Sequence, residues 1–213
     1  GLAQKGGGVL THLRMATEPG SVHVPRLPAG GANLLIASDM VAAAGPEALS
    51  KLRKGVTNAV INDHVMPIAR NILDPTSSLD HARLRQTLED GVGTGRACLI
   101  NANRIAEGLA GDRVGVNIFL LGLAFQKGYL PVSLDALTQA LELNGVAVKR
   151  NKLLFAWGRH TAHDPAAILT ELPNLTPTPG PEAESLEDLM ARHEALLIDY
   201  QDAAYGARYR ALL

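Results

Sequence analysis

A lysine followed by three glycines, Lys5 to Gly8, is the most unusual local feature of the sequence. Glycine backbones expose N–H groups that can surround an anion, and the lysine ammonium adds positive charge. A P-loop needs Gly-Lys-Ser/Thr at the start of a helix, and this order does not occur here. Two interpretations stay open: Lys5, Gly6, Gly7 and Gly8 bind an anionic cofactor, or they form a crowded turn at a domain interface.

Polar residues also follow two short apolar runs that we predict to be strands. Ser38-Asp39 follows the run that ends at Ala37, and Asn62 follows Ile61. Open parallel sheets bind ligands at the carboxyl ends of their strands, which makes these residues well-placed candidates for binding. Asp and Asn are also good helix N-caps, so capping of the next helix is the alternative.

Three further motifs favour structural over chemical interpretations. Residues 91–95, GVGTG, resemble half of a dinucleotide fingerprint but precede a strand instead of a helix, which predicts a turn. His160, His163 and Asp164 have a spacing that could bind a metal, but the glutamate of an H-E-x-x-H motif is missing, so a solvated helix end is the better prediction. Cys98 lies in an apolar run, and we expect its thiol to be unreactive.

The composition limits the possible functions. The chain has 213 residues, of which 46% are hydrophobic, enough for one full core and a small appendage. A net charge of -1 and an aromatic content of 4% argue against nucleic-acid binding. The longest apolar run, 114–125, is well short of the ~20 residues that cross a bilayer, and we predict a buried helix there. The sequence lacks a recognisable leader, and one cysteine without a disulfide partner fits a reducing compartment, so we expect a cytoplasmic protein without membrane or nucleic-acid partners.

Strand and helix patterns alternate along the first half of the chain. The predicted strands are Val9–Met15, with alternating side chains, and the apolar runs Asn33–Ala37, Ala59–Ile61 and Cys98–Ile100. The predicted helices are Gly45–Arg53, Ser78–Glu89, one through Phe119 to Gly128, one from Ser133 to Asn144-Gly145, and Val146–His163. This order predicts an α/β fold with an open, mostly parallel, doubly wound (Rossmann-like) sheet and flanking helices.

The carboxyl-terminal region has a different character. Residues 172–184 are rich in proline and lack apolar periodicity, which predicts a linker. We therefore divide the chain into a domain at 1–171, a linker at 172–184 and a helix at 185–213 that begins the next domain. Ser185 and Asp188 form a capping pattern for this helix. Its predicted apolar stripe consists of Leu186, Leu189, His193, Leu196, Tyr200, Ala204 and Ala207.

Several segments of residues 1 to 164 resemble, in order, the gamma-type domain of indolepyruvate ferredoxin oxidoreductase. They are Gly1–Gly7 with Val9–Arg14, Asn33–Asp39, Ala59–Asn62, Asn117–Gly122 with Gln126–Gly128, and Glu142–Val148 with Asn151-Lys152. The enzyme belongs to the 2-oxoacid:ferredoxin oxidoreductase family, and the resemblance is to its fused bacterial form. Residues 200–205 and 208–210 resemble the start of the uncharacterised domain that follows the gamma-type domain there.

The resemblance implies a role in the oxidative decarboxylation of an aryl 2-oxoacid such as indolepyruvate to an acyl-CoA. The complete enzyme would use thiamine diphosphate, [4Fe-4S] clusters and coenzyme A, and would pass electrons to ferredoxin. The implied partners are the catalytic domains or subunits of the same enzyme and, in a homo-oligomer, further copies. The gamma-type domain ordinarily opens with a strand and a glycine-rich turn, so the first strand of the fold is expected to be missing from these residues.

The residues themselves predict a supporting, non-redox domain. A four-iron cluster takes four ligands, usually thiolates, and this sequence has one cysteine. Residues 111–113, Gly-Asp-Arg, break the Gly-Asp-Gly loop that holds magnesium and thiamine diphosphate in enzymes of that cofactor's family. We therefore expect neither group on this fragment, and a role for Lys5 to Gly8 at the entrance for coenzyme A or substrate. The alternatives are a purely structural assembly module and an independent nucleotide-binding domain.

Overall fold

The computed structural model describes residues 9–65, 80–164, 168 and 185–212. Lys5 to Gly8 and the predicted linker at 172–184 lie outside these residues, so both stay predictions. The chain divides into two compact units, 1–175 and 176–213.

The first unit contains a three-stranded parallel sheet. Its strands are β1 (Leu34–Ala37), β2 (Asn58–Asn62) and β3 (Ala97–Ile100), in the order β1-β2-β3. Leu35 pairs with Ala59, and Val60 pairs with Cys98. The three continuous apolar runs are therefore strands, as their sequence predicts.

The helices surround this sheet in the first unit and form the second unit. They are α1 (Met40–Ala43), α2 (Pro46–Leu49), α3 (His81–Val92), α4 (Ala102–Ala110), α5 (Val116–Gln126), α6 (Leu134–Asn144), α7 (Val148–His163), α8 (Leu186–Tyr200) and α9 (Ala203–Ala211). Side-chain oxygens of Asp80 and Ser133 accept hydrogen bonds from the first turns of α3 and α6. Gly145 ends α6 in the left-handed conformation, as predicted.

Helices cover both faces of the sheet. On one face, Leu34, Ile36, Val60, Cys98 and Ile100 pack against apolar residues of α4, α5 and α7. On the other face, Leu35, Ala37, Ala59, Ile61, Ala97 and Leu99 pack against α1 and α3. The prediction of an open parallel sheet with flanking helices is confirmed.

The central contact of the first core is the crossing of α5 and α7, where glycines bring two backbones together. A Cβ on Gly158 of α7 would lie 2.0 Å from the Phe119 oxygen of α5. A Cβ on Gly122 of α5 would lie 2.2 Å from the Phe155 oxygen of α7. Neither contact is sterically possible, so the crossing requires glycine, whose side chain is a single hydrogen atom, at both positions. The predicted buried helix at 114–125 is confirmed for Phe119, which is 0% exposed, but Val114 precedes the helix and is 73% exposed.

The predicted strand Val9–Met15 is wrong. Its residues are irregular, and Val9, Leu13 and Met15 are 53%, 72% and 49% exposed. The segment is held by a bond from the Leu27 N–H to His12 Nδ1 at 2.9 Å and by one from Arg14 Nη1 to the Val24 oxygen at 2.8 Å. An alternating pattern becomes a strand only beside a neighbour, and no described strand pairs with it.

Helix boundaries also differ from the predictions. The helix expected at Gly45–Arg53 is a single turn, Pro46–Leu49, and the sequence analysis missed α1 and α4. The signals for α4 were present, because Asn101 caps its first turn and Gly111 ends it in the left-handed conformation.

The second unit is a hairpin of two helices, so the single helix predicted for 185–213 is wrong. The Asp202 carboxylate accepts a hydrogen bond from Tyr205 N at 2.8 Å and starts α9. Gly206 packs against Ile198, and Arg210 Nε lies 2.7 Å from Glu194 Oε2. Because the chain reverses between the helices, the predicted stripe does not continue from Tyr200 into α9. Within the described residues, no helix has both the length and the hydropathy needed to span a membrane.

Candidate functional site

Polar side chains meet at the carboxyl edge of the sheet. Parallel strands end at the same edge, so the residues after β1, β2 and β3 become neighbours despite their separation in sequence. The residues that gather there are Ser38, Asp39, Asn62, Asp63, Asn101 and Asn103.

Asn62 lies at the centre of this edge and is 1% exposed. Its Nδ2 donates to the Ser38 oxygen and to Asn103 Oδ1, both at 2.9 Å, and its Oδ1 accepts from Ala102 N at 2.9 Å. The amide thus joins the ends of all three strands. The sequence analysis missed Asn103, whose signal was its place two residues beyond Asn101 in the polar segment after β3.

Asp39 confirms the capping interpretation at the end of β1. Its Oδ1 accepts a hydrogen bond from Ala42 N at 2.8 Å, in the first turn of α1. The same segment is tied to the end of β2, because Met40 N donates to the His64 oxygen at 3.3 Å.

Asp63 brings the start of α3 to this edge, a contact that the sequence analysis missed. Asp63 Oδ1 lies 2.7 Å from His81 Nε2, and Oδ2 lies 3.2 Å from Arg85 Nη1. The first contact is a hydrogen bond only when His81 Nε2 carries a proton. Arg85 also pairs with Glu89 at 3.2 Å. Among the described residues, the edge therefore combines neutral amides with the carboxylates of Asp39 and Asp63, and Asp63 faces two basic side chains.

The predicted turn at 91–95 is confirmed only for residues 93–95, because Gly91 and Val92 form the end of α3. Gly93 and Gly95 have φ angles of 93° and 76°, which favour glycine, and Arg96 N donates to the Gly93 oxygen at 3.2 Å. The turn precedes β3 and so lies at the amino edge of the sheet. A cleft of about 310 Å³ beside it is lined by Lys54, Gln86, Glu89, Asp90, Gly93, Thr94, Gly95 and Ala97.

Two histidines lie at the exposed end of α7. His160 and His163 occupy its last turn, and the Asp164 N–H donates to the His160 oxygen at 2.9 Å. The His160 ring contacts Trp157 edge-on at 5.5 Å between centroids. Among the described residues, no cluster of three His, Cys, Asp or Glu side chains has a metal-binding arrangement. The position at a solvated helix end is confirmed.

Asp112 and Cys98 both have surroundings that suit structural roles. Asp112 Oδ2 lies 2.6 Å from Arg150 Nη1, and its Oδ1 accepts from Val114 N at 2.9 Å. Cys98 is partly buried on β3, and burial raises the pKa of its thiol, an effect that the positive charge of Lys127 partly offsets. A raised pKa lowers the thiolate fraction at neutral pH, so low reactivity of Cys98 stays the prediction.

Comparison with known proteins decides the family. The family model of pyruvate ferredoxin/flavodoxin oxidoreductases matches residues 1–160. The chain belongs to this family. The resemblance of the ordered segments to a gamma-type domain is thereby confirmed, and the matched region of this oxidoreductase family member contains the whole sheet and its polar edge.

Two curated relatives have names that are more specific than the family description. The chain is 29% identical over 148 residues to indolepyruvate oxidoreductase subunit IorB of Archaeoglobus fulgidus, a match that covers 66% of this chain and 65% of the relative. It is also 29% identical over 144 residues to the subunit IorB of Methanothermobacter thermautotrophicus, with 68% of each chain covered. The oxidoreductase chain thus spans about two thirds of the length of these relatives. No solved structure matches it significantly.

Proposed function

We propose that residues 1–171 form the gamma-type domain of a 2-oxoacid:ferredoxin oxidoreductase. The enzyme would oxidatively decarboxylate an aryl 2-oxoacid such as indolepyruvate to an acyl-CoA and pass the electrons to ferredoxin. The observation that carries this proposal is the family match over residues 1–160, together with two relatives that are both indolepyruvate oxidoreductase subunits. We place the enzyme in the cytoplasm, with ferredoxin, the catalytic domains and further copies of itself as partners.

Within that enzyme, the domain has a supporting, non-redox role. Thiamine diphosphate and [4Fe-4S] clusters belong to the catalytic domains, since one cysteine does not supply a cluster's ligands. The carboxyl edge supports this assignment, because the Asn62 amide and the Asp63 carboxylate are engaged with groups of the protein. Such an edge can hold a surface in place.

The ligand proposed for this domain is coenzyme A. Its phosphates suit the lysine ammonium of Lys5 and the backbone N–H groups of Gly6, Gly7 and Gly8. Asn62 would contribute to the same site by fixing the strand ends beside which the ligand lies.

The test of the enzymatic proposal is spectroscopy on the intact parent enzyme. We expect an iron–sulfur signal that is reduced when an aryl 2-oxoacid and coenzyme A are added, because oxidation of the substrate must deliver electrons to a cluster. An alkyl 2-oxoacid of similar charge is the control for substrate class. A parent enzyme without any 2-oxoacid-dependent signal would remove the enzyme assignment.

The test of the coenzyme A proposal is a titration of the chain followed by amide NMR. We expect shifts near Lys5, and a roughly tenfold weaker Kd for Lys5→Gln, because a charge-assisted phosphate contact is removed. Lys54→Gln is the matched control, since Lys54 lines the cleft at the amino edge of the sheet. An absence of shifts near Lys5 favours the purely structural module, whereas tight binding of a free nucleotide favours the independent nucleotide-binding domain.

A further inference from the structure

The cleft of about 310 Å³ at the amino edge of the sheet is built from three separate parts of the chain. We call it the amino-edge cleft. Its lining comes from the last two turns of α3, from Lys54 and from the turn that leads into β3. Gly55 N donates to the Val92 oxygen and Gly93 N donates to the Glu89 oxygen, both at 2.8 Å. These backbone hydrogen bonds fix all three parts to the end of α3, so the cleft is preformed, as ligand sites usually are.

Lys54 supplies a positive charge to the amino-edge cleft. Its stem lies close to Gly93, because a Cβ built on this glycine would be 3.3 Å from Lys54 Cγ. A lysine stem packed in this way keeps its ammonium group at the surface beside it. In the described part of the chain, no carboxylate forms an ion pair with Lys54, although Glu89 and Asp90 line the same cleft. The ammonium charge is therefore available to a ligand.

The carboxyl-terminal end of α3 supplies the opposite charge. Asp90 Oδ1 accepts a hydrogen bond from Gln86 Nε2 at 3.0 Å, and this neutral amide does not cancel the carboxylate charge. Glu89 differs, because Arg85 Nε lies 3.2 Å from its carboxylate. The last turn of α3 contains no basic residue, and the partial negative charge at the carboxyl end of a helix favours a cation there. The end of α3 and Asp90 therefore both attract a positively charged group.

We propose that the amino-edge cleft binds a free α-amino acid in its zwitterionic form. The ligand carboxylate meets the Lys54 ammonium, and the ligand ammonium meets Asp90 at the end of α3. A ligand with only negative charge is repelled by Asp90 and one with only positive charge by Lys54, so a molecule that carries both charges complements the lining best.

The size and polarity of the cleft narrow the class of amino acid. A volume of about 310 Å³ is at the lower end of the range for ligand pockets, which suits a molecule of amino-acid size. The described lining is polar apart from Ala97 and two glycines, so the ligand has a small or hydrophilic side chain. The amino edge lies opposite the carboxyl edge with Asn62, so amino-acid binding here is independent of the coenzyme A binding proposed there.

The first test is amide NMR of the full 213-residue chain during titration with L-serine, L-alanine and L-glutamine. We expect shifts at Gly93, Thr94 and Gly95, with a Kd of about 1 mM or tighter for at least one of the three. N-acetyl-L-serine lacks the ammonium group and L-serinamide lacks the carboxylate. Each should bind at least about tenfold more weakly than L-serine, because one charge contact is lost. A chain that binds none of the three amino acids, or binds the two derivatives equally well, would overturn the proposal.

The second test assigns each charge to its partner. Lys54→Gln should weaken binding of L-serine about tenfold and leave L-serine and L-serinamide with similar Kd values, because the contact to the ligand carboxylate is gone. Asp90→Asn should instead make L-serine and N-acetyl-L-serine similar. Lys149→Gln is the matched control, since Lys149 is exposed on α7, and it should leave every Kd unchanged. Circular dichroism checks that the variants keep their helices. Folded Lys54→Gln and Asp90→Asn variants that bind like the natural chain would show that the cleft does not recognise a zwitterion.

Discussion

Gly158→Ala is expected to lower the free energy of unfolding of the α/β unit by about 3 kcal/mol or more. The added Cβ would lie 2.0 Å from the Phe119 oxygen and 2.9 Å from Leu123 N. Both atoms belong to the backbone of α5, which cannot turn aside as a flexible side chain can. The two helices must therefore separate, and separation would open the core between them and the sheet.

The measurement is urea denaturation followed by circular dichroism, with Gly91→Ala as the matched control. Gly91 also lies in a helix, but its Cβ would meet the mobile end of the Leu52 side chain at 3.2 Å. Alanine there should be neutral or slightly stabilising, because it improves helix propensity by up to about 1 kcal/mol. Equal stability of Gly158→Ala and the natural chain would show that the crossing is looser than described.

Asn62→Asp is expected to cost about 3 kcal/mol at pH 7 despite its nearly identical shape. The substitution replaces the donor Nδ2 with an oxygen that faces two acceptors, the Ser38 oxygen and Asn103 Oδ1. It also places a charge at a position that is 1% exposed. The loss should be smaller at pH 4 than at pH 7, because a neutral carboxyl group can donate one hydrogen bond and a carboxylate cannot.

The comparison requires denaturation of the variant and of the natural chain at both pH values. Asn33→Asp provides the control, since Asn33 is exposed and the same change there should stay within about 0.5 kcal/mol. If Asn62→Asp and Asn33→Asp cost the same, the Asn62 amide does not organise the carboxyl edge. A larger loss for Asn62→Asp at pH 4 than at pH 7 would contradict the account of its hydrogen bonds.

Alternating apolar patterns were less informative than apolar runs in this chain. Residues 34–37, 58–62 and 97–100 are strands because a run that is apolar on both faces needs covering on both sides, wherever its neighbours lie. The alternating pattern at 9–15 does not require covering on both sides. This segment is irregular because a strand depends on hydrogen bonds to a partner strand. The single apolar stripe predicted after Ser185 is interrupted at Asp202, because that residue caps a new helix.

By itself, the sequence determined the family, the three strands, both ends of α6 and the carboxyl-terminal end of α7. Each of these depends on residues that are close in the chain: motifs in order, apolar runs, Ser133 as a cap and Gly145 as a stop. The tertiary structure alone decided which distant residues meet. Asn62 bonds Asn103 across 41 positions, and Gly158 faces the backbone at Phe119. Neither residue type nor spacing encodes such contacts, because they arise only when strands and helices from separate parts of the chain pack together.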